Sequence, residues 1–295
     1  MPVTQVVTPA GVDALVEALK TATPQTRLLA GGTDLVRAIR QPGNEPDVLI
    51  DLTGLGELAY IRLDGDTLRV GATTTFTELQ WDPLVHEHAL CLGLAAAQVG
   101  SAQIRNAGTI GGNIANASPC ADGATALTAL GADVTTIDGV GVSTTRPLGA
   151  VLLGPSRTSL RHDEAITEFS FPALGPQHRS AFAKIGSRTA VSVARLSAAL
   201  VVRFDAAAGT LADVRVALGA VGGAAFRATN LEQSLAGLPA EEETARLFAE
   251  GCVVAVQQSI PGRYSLPYKQ HAAVGLAYDA WNMLALSPPC EPAWA

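Results

Sequence analysis

The sequence predicts an α+β fold in two domains, and three observations carry that prediction. At 295 residues the chain exceeds a typical single core, so two domains are the expected organisation. Over the first 172 positions its apolar residues switch between helical and strand spacing. Pro172 to Gln177 then gathers two prolines and a glycine, the strongest linker signal in the chain, and beyond it the pattern becomes a run of strands followed by helices.

Taken in order, Gln5 to Val7 reads as a short strand. Thr8-Pro9 has the chemistry of a helix cap and first-turn proline, and Val12, Leu15, Val16 and Leu19 follow at helical spacing. Arg27 to Ala30 and Val48 to Leu52 read as buried strands, which makes the opening βαβ-like. Tyr60 to Leu63, a turn at Asp64-Gly65 and Thr67 to Val70 read as a hairpin. Helical patterns cover Phe76 to Gln80 and Pro83 to Val99, and a short helix is expected over Ala121 to Leu130. Strands follow at Asp133 to Ile137, Val140 to Thr144 and Ala165 to Phe171.

After the linker, Ser180 to Ile185, Ala198 to Asp205 and Asp213 to Gly219 read as antiparallel strands, the last two joined across Ala206 to Gly209. Two helices close the chain. One carries Ala245, Phe248, Ala249, Cys252, Val253 and Val256 on one face, the other Val274, Ala277, Tyr278, Trp281 and Ala285. The end, Pro288 to Pro292, is expected to be an extended arm or disordered.

Two glycine-containing stretches hold the functional information: Leu28-Leu29-Ala30-Gly31-Gly32-Thr33-Asp34-Leu35 and Gln103-Ile104-Arg105-Asn106-Ala107-Gly108-Thr109-Ile110-Gly111-Gly112-Asn113. A glycine pair lets the main chain approach a bulky anion and tolerates the positive φ that turns successive amides toward one point. Thr33 and Asp34 flank one pair, Thr109 and Asn113 the other. Two such stretches suit a pyrophosphate better than a single phosphate. Gly54-Leu55-Gly56-Glu57-Leu58-Ala59 imitates the dinucleotide fingerprint, but that fingerprint must open a helix and a hairpin follows here.

Composition excludes several function classes. Net charge is −7 with no run of Lys or Arg, so the electrostatic footprint of a nucleic-acid binder is missing. No segment offers the roughly 18 apolar residues of a membrane span. Met1-Pro2-Val3-Thr4-Gln5 has no leader pattern, and a cytoplasmic protein is expected. Cys91, Cys120, Cys252 and Cys290 are too far apart for zinc or iron–sulfur ligand spacing. His86-Glu87-His88 has no further ligands nearby in sequence, and no metal site is expected. Cys91 and Cys252 read as core and Cys120 as a small buried residue. With only 16% charged residues, the chain is expected to hide surface against other subunits.

These residues converge on a family. The two glycine stretches, Ser118-Pro119-Cys120-Ala121-Asp122, Lys184-Ile185-Gly186-Ser187-Arg188, and Arg263-Tyr264-Ser265 with Tyr268-Lys269 resemble the flavin-binding medium subunit of the molybdenum hydroxylases, the group of carbon monoxide dehydrogenase and xanthine dehydrogenase. The resemblance implies a two-lobed FAD-binding domain of the PCMH type over residues 1–172, with lobes of about 1–54 and 55–172. A smaller domain of the CO dehydrogenase flavoprotein type, with a three-stranded antiparallel sheet and helices, would cover 178–287.

The resemblance places the FAD pyrophosphate between the glycine stretches. It assigns to cofactor binding Leu29, Ala30, Gly31, Gly32, Thr33, Asp34, Leu35, Thr109, Ile110, Gly111, Gly112, Asn113 and Asn116. Asp122 would meet ribose or ribityl hydroxyls, Leu160 would meet the flavin, and Lys184 would lie near the isoalloxazine ring. No His follows the first glycine pair, so non-covalent FAD is expected.

A flavin exchanges two electrons together or one at a time, which suits it to link a one-electron chain to another carrier. Iron–sulfur clusters and molybdopterin would then reside on a small and a large partner subunit, in a dimer of heterotrimers serving an external electron acceptor. A free-standing flavoprotein oxidase or dehydrogenase, or a non-redox flavin-binding scaffold, are the other readings the residues leave open.

Overall fold

Three sheets of three, five and four strands carry the fold, with a further two-stranded hairpin, and helices pack against them. A computed structural model describes residues 3–189 and 191–286; Cys290 and the proline-rich end lie outside the described residues. The chain opens with β1 (Gln5–Val7), α1 (Val12–Lys20), β2 (Thr26–Leu29), α2 (Leu35–Ile39) and β3 (Val48–Asp51). The strands form a parallel sheet in the order β1-β3-β2. Helix α1 starts at Val12 with Gly11 as its cap, later than Thr8-Pro9 predicts, and Glu57 accepts from the Val12 amide at 3.0 Å in place of a capping side chain. The stretch that imitates a dinucleotide fingerprint is a single 3-10 turn at Gly56–Leu58, and Leu55 and Leu58 are buried beneath α1 with Leu15, Leu19 and Ile50.

Next come β4 (Ile61–Asp64) and β5 (Thr67–Gly71), the predicted hairpin. Six helices follow: α3 (Phe76–Trp81), α4 (Pro83–His88), α5 (Leu90–Ala97), α6 (Ala102–Ala107), α7 (Ile110–Asn116) and α8 (Asp122–Leu130). The pattern from Pro83 to Val99 is therefore two helices, broken at Ala89, whose φ of −160° is extended. The second glycine stretch is mostly helical, with only Gly108 and Thr109 between α6 and α7. Next are β6 (Asp133–Asp138), β7 (Ser143–Pro147), α9 (Leu148–Val151), a small hairpin of β8 (Leu152–Gly154) and β9 (Arg157–Thr158), and β10 (Glu164–Pro172). They complete an antiparallel sheet in the order β4-β5-β10-β6-β7.

The last part holds β11 (His178–Gly186), β12 (Ala194–Asp205), β13 (Thr210–Gly219), β14 (Phe226–Arg227), α10 (Thr229–Leu235), α11 (Glu242–Ser259) and α12 (Leu266–Leu286). Its sheet has four strands in chain order, which corrects the expectation of three. The fourth, β14, pairs only Phe226 and Arg227 with β13, and two residues carry no readable alternation. Strand β12 is buried on both faces, so its sequence is an almost unbroken apolar run. Phe182, Ala199, Val201 and Ala217 face the core shared with α5 and α8, while Ala198, Leu200, Val202 and Val216 face α11 and α12. The sheet thus lies between the helices that carry the glycine stretch and the closing helices.

Candidate functional site

The two glycine stretches, distant in sequence, touch in space. A Cβ at position 31 would lie 1.8 Å from the Ala107 carbonyl oxygen, so only glycine permits the approach. Gly32, with φ of +69°, turns the chain into α2. The second stretch is anchored to the segment after β5. Phe76 donates to the Gly108 carbonyl at 3.0 Å, Ile110 to that of Thr74 at 3.0 Å, and Gly111 to that of Ala72 at 2.8 Å. Thr109 caps α7 by accepting from the Gly112 amide at 3.1 Å.

Together the stretches border a cavity of about 630 Å³. Of the residues expected to bind a cofactor, Ala30 to Leu35, Thr109, Gly111, Gly112, Asn113, Asn116 and Leu160 line it. Among the described residues no hydrogen bond uses the amides of Gly31, Gly32, Thr33, Asp34 or Leu35 as donors. A Cβ at Gly112 would meet only Thr109 Oγ1, at 3.0 Å. Asn113 Oδ1 and Thr73 Oγ1, both on lining residues, are buried without a hydrogen-bond partner. Unused amides and the Thr73 hydroxyl give the cavity donors for an anion, Asn113 Oδ1 gives it an acceptor, and the apolar side chains of Phe76, Val99, Ile104 and Leu160 give it walls for flat rings.

Four expected residues do not line the cavity: Leu29, Ile110, Asp122 and Lys184. Ile110 is fully buried in the core behind it. Asp122 and Lys184 instead form a buried ion pair, with Oδ2 and Nζ 2.5 Å apart and both side chains nearly sealed from solvent. Lys184 also donates to the Gln98 carbonyl at 2.9 Å. The pair therefore ties β11 to the start of α8 and the end of α5. Asp122 does not cap α8 through its side chain. Burial pushes its carboxyl up to about 6, against the opposing pull of the Lys184 ammonium, and Oδ1 has no partner. Gly123 seats Asn113 Oδ1 closely enough that a Cβ there would be 2.8 Å away, so Asp122 adjoins the cavity wall from behind.

Thr73, Ser156, Arg161 and His162 line the cavity without having been read from the sequence. Arg161-His162 directly follow Leu160 and were legible as neighbours. Thr73 had no such signal, because its place depends on the bridge that pairs Thr75 with Thr109. Cys91 and Cys252 are core as expected, whereas Cys120 is only partly buried. No group of acidic, His or Cys side chains among the described residues is arranged to hold a metal ion.

The family of FAD binding domains in molybdopterin dehydrogenases matches residues 2–174. This chain belongs to that family. The CO dehydrogenase flavoprotein C-terminal domain matches residues 181–284, so the two family matches account for both parts of the fold. Among relatives, the nicotinate dehydrogenase FAD-subunit of Eubacterium barkeri is 34% identical over 84% of this chain and 84% of its own length. The glyceraldehyde dehydrogenase medium chain of Sulfolobus acidocaldarius is 27% identical over 92% of this chain and 96% of its own. Among solved structures, carbon monoxide dehydrogenase from Hydrogenophaga pseudoflava lacking the Mo-pyranopterin moiety superposes with a TM-score of 0.87. That match is 28% identical and covers 97% of this chain and 98% of the other. No described helix is long and apolar enough to cross a membrane.

Proposed function

We infer that this chain is the FAD-carrying electron-transfer subunit of a molybdenum-containing hydroxylase or dehydrogenase. It takes electrons from the iron–sulfur clusters of a small partner subunit and passes them to an external acceptor. One observation carries the reading: in a chain of the FAD-binding family, the two glycine stretches meet along one cavity that offers unused amides beside apolar walls.

When bound, FAD supplies the two-electron to one-electron conversion that such a relay needs. The chain's own residues hold it. The unused amides of Gly31 to Leu35 bind the pyrophosphate oxygens, while the start of α7, whose amides are already bonded within the chain, offers the side chains of Thr109 and Asn113 and a close approach at Gly111 and Gly112. Leu29 and Ile110 support the two stretches from behind. Asn113 and Asn116 supply polar contacts and Leu160 an apolar one, while the buried Asp122–Lys184 pair backs the wall behind Asn113. Binding is non-covalent. Substrate oxidation belongs to a large molybdopterin subunit, and the assembly is a dimer of heterotrimers in the cytoplasm.

Co-expression of the chain with its neighbouring genes tests this. The expected product is a yellow complex that retains a cysteine-rich small chain and a long one. A colourless preparation that also fails to take up added FAD overturns the cofactor assignment, and a stable, catalytically active flavoprotein without partners overturns the subunit assignment.

A further inference from the structure

One wall of the cavity is held differently from the rest. The glycine stretches are fixed by close contacts and backbone hydrogen bonds, and β2 and β10, which also reach the cavity, belong to larger sheets. Ser156 and Thr158 line it too, but they belong to the β8–β9 hairpin, whose two strands pair only with each other. The base of this hairpin is pinned: Ser159 donates through its amide to the Val151 carbonyl and through its hydroxyl to that of Ala150, both at 2.9 Å. Its tip, Pro155 to Arg157, is exposed. Between base and tip, Gly154 has a φ of +143° and the pairing register shifts. A fixed base, a glycine bend and an exposed tip suit a small element that swings as a unit.

Two contacts hold the tip down. The Ser156 amide donates at 2.9 Å to the carbonyl of Ala117, the residue that ends α7. From the other side, Gly223 in the loop after β13 lies against the tip: a Cβ there would be 3.2 Å from Pro155 Cδ and 3.6 Å from Gly154 Cα. That loop is itself fastened, because Ala220 donates to the Pro119 carbonyl at 2.8 Å and accepts from the Lys269 ammonium.

Backbone strain gathers at the same junction. Among the described residues, four that are not glycine have a left-handed φ, and Ala117, Ser156 and Ala220 are three of them. A side chain disfavours that conformation, so surrounding contacts must enforce it, as they do at clamps and switches. The C-terminal part thus bears on the cavity wall, although among the described residues none beyond Ile166 lines the cavity.

We propose that the β8–β9 hairpin is the gate through which FAD enters and leaves, and that the loop at Gly223 is the latch by which the C-terminal part keeps it shut. This rests on the flavin-binding reading given above. A gate has a kinetic signature. When the cofactor passes only through the open form, uptake and release both rise with the population of that form and affinity stays nearly constant. A side chain that merely touches the cofactor changes release alone.

The test follows flavin fluorescence while the chain, co-expressed with its neighbours and stripped of flavin, is reloaded and then chased. Gly223→Val forces a side chain against Pro155, and Ser156→Pro removes the amide held by Ala117 and cannot keep a φ of +52°. Each should speed both uptake and release of FAD about tenfold, with the dissociation constant within about threefold of wild type. Gly223→Ala, whose Cβ alone crowds Pro155, should shift both rates in the same direction and serves if the valine form does not fold. Gly222→Val, one residue away where a Cβ meets nothing within 4 Å, should leave both rates unchanged. In the flavin-free protein, amide hydrogen exchange over residues 154–157 should quicken in the Gly223 and Ser156 variants and not in Gly222→Val.

Unchanged rates in both the Gly223 and Ser156 variants overturn the gate. Faster release with unchanged uptake also overturns it, and marks the hairpin as a contact wall. Faster rates in Ser156→Pro alone, or equal effects from Gly222→Val and Gly223→Val, overturn the latch. A wild-type protein that takes up no FAD overturns the flavin-binding reading instead.

Discussion

The two glycine stretches border one cavity but are held there by different physics. The first is coil, and its geometry is set by contact: Gly31 lies against the Ala107–Gly108 backbone and Gly32 adopts a left-handed φ before α2. The second is almost all helix, and its geometry is set by hydrogen bonds to residues 72–76 and by the Thr109 cap. A cradle that combines a contact-held half with a hydrogen-bonded half is sensitive to volume on one side and to polarity on the other.

Substitutions break or sharpen that contrast. Gly31→Val should have the largest effect, since its side chain collides with main chain that cannot rotate away. Bound FAD should be lost on purification, with a stability loss of about 1–3 kcal/mol or more read by thermal unfolding. Gly112→Val should also lose FAD but leave the melting temperature within about 3 °C of wild type, because its Cβ meets only Thr109 Oγ1. A folded Gly112→Val protein with full FAD occupancy rules out this residue as part of the cradle. Thr109→Val removes the α7 cap and should cost about 0.5–2 kcal/mol, with weaker FAD binding in a fluorescence titration.

The ion pair behind the second stretch gives a pH signature. Burial raises the Asp122 carboxyl from 3.8 to about 6, so between those values the folded chain holds a proton that the unfolded chain has released. That group's contribution to stability therefore declines as pH rises through the window. Asp122→Asn should flatten this part of the pH–stability curve in denaturant titrations. Gly54→Ala should have the smallest effect, within about 0.5 kcal/mol and with FAD retained, since a Cβ there meets nothing within 4 Å.

Much of the fold was legible where periodicity is long. The β4–β5 hairpin, α3, α8, β10 and the two closing helices fall close to their expected positions, because each buries one regular face. The short elements β8, β9, α9 and β14 were not legible, since so few positions carry no period of their own. Ala89 hides the break between α4 and α5 because it interrupts the backbone without interrupting the apolar run. In the site, twelve of the sixteen expected residues line the cavity, ten of them within the two glycine stretches whose chemistry is local, and Thr73 escaped because nothing in its own neighbourhood points toward Thr109.

By itself the amino-acid sequence determined the sites of close backbone approach, the apolar faces, and the family to which the chain belongs. Glycine and helix-cap chemistry act over a few residues, so they are written locally. The meeting of Gly31 with Ala107 and the pairing of Asp122 with Lys184 were decided only by tertiary structure. Each joins residues that are distant along the chain, and their separation in space depends on how three sheets and their helices pack.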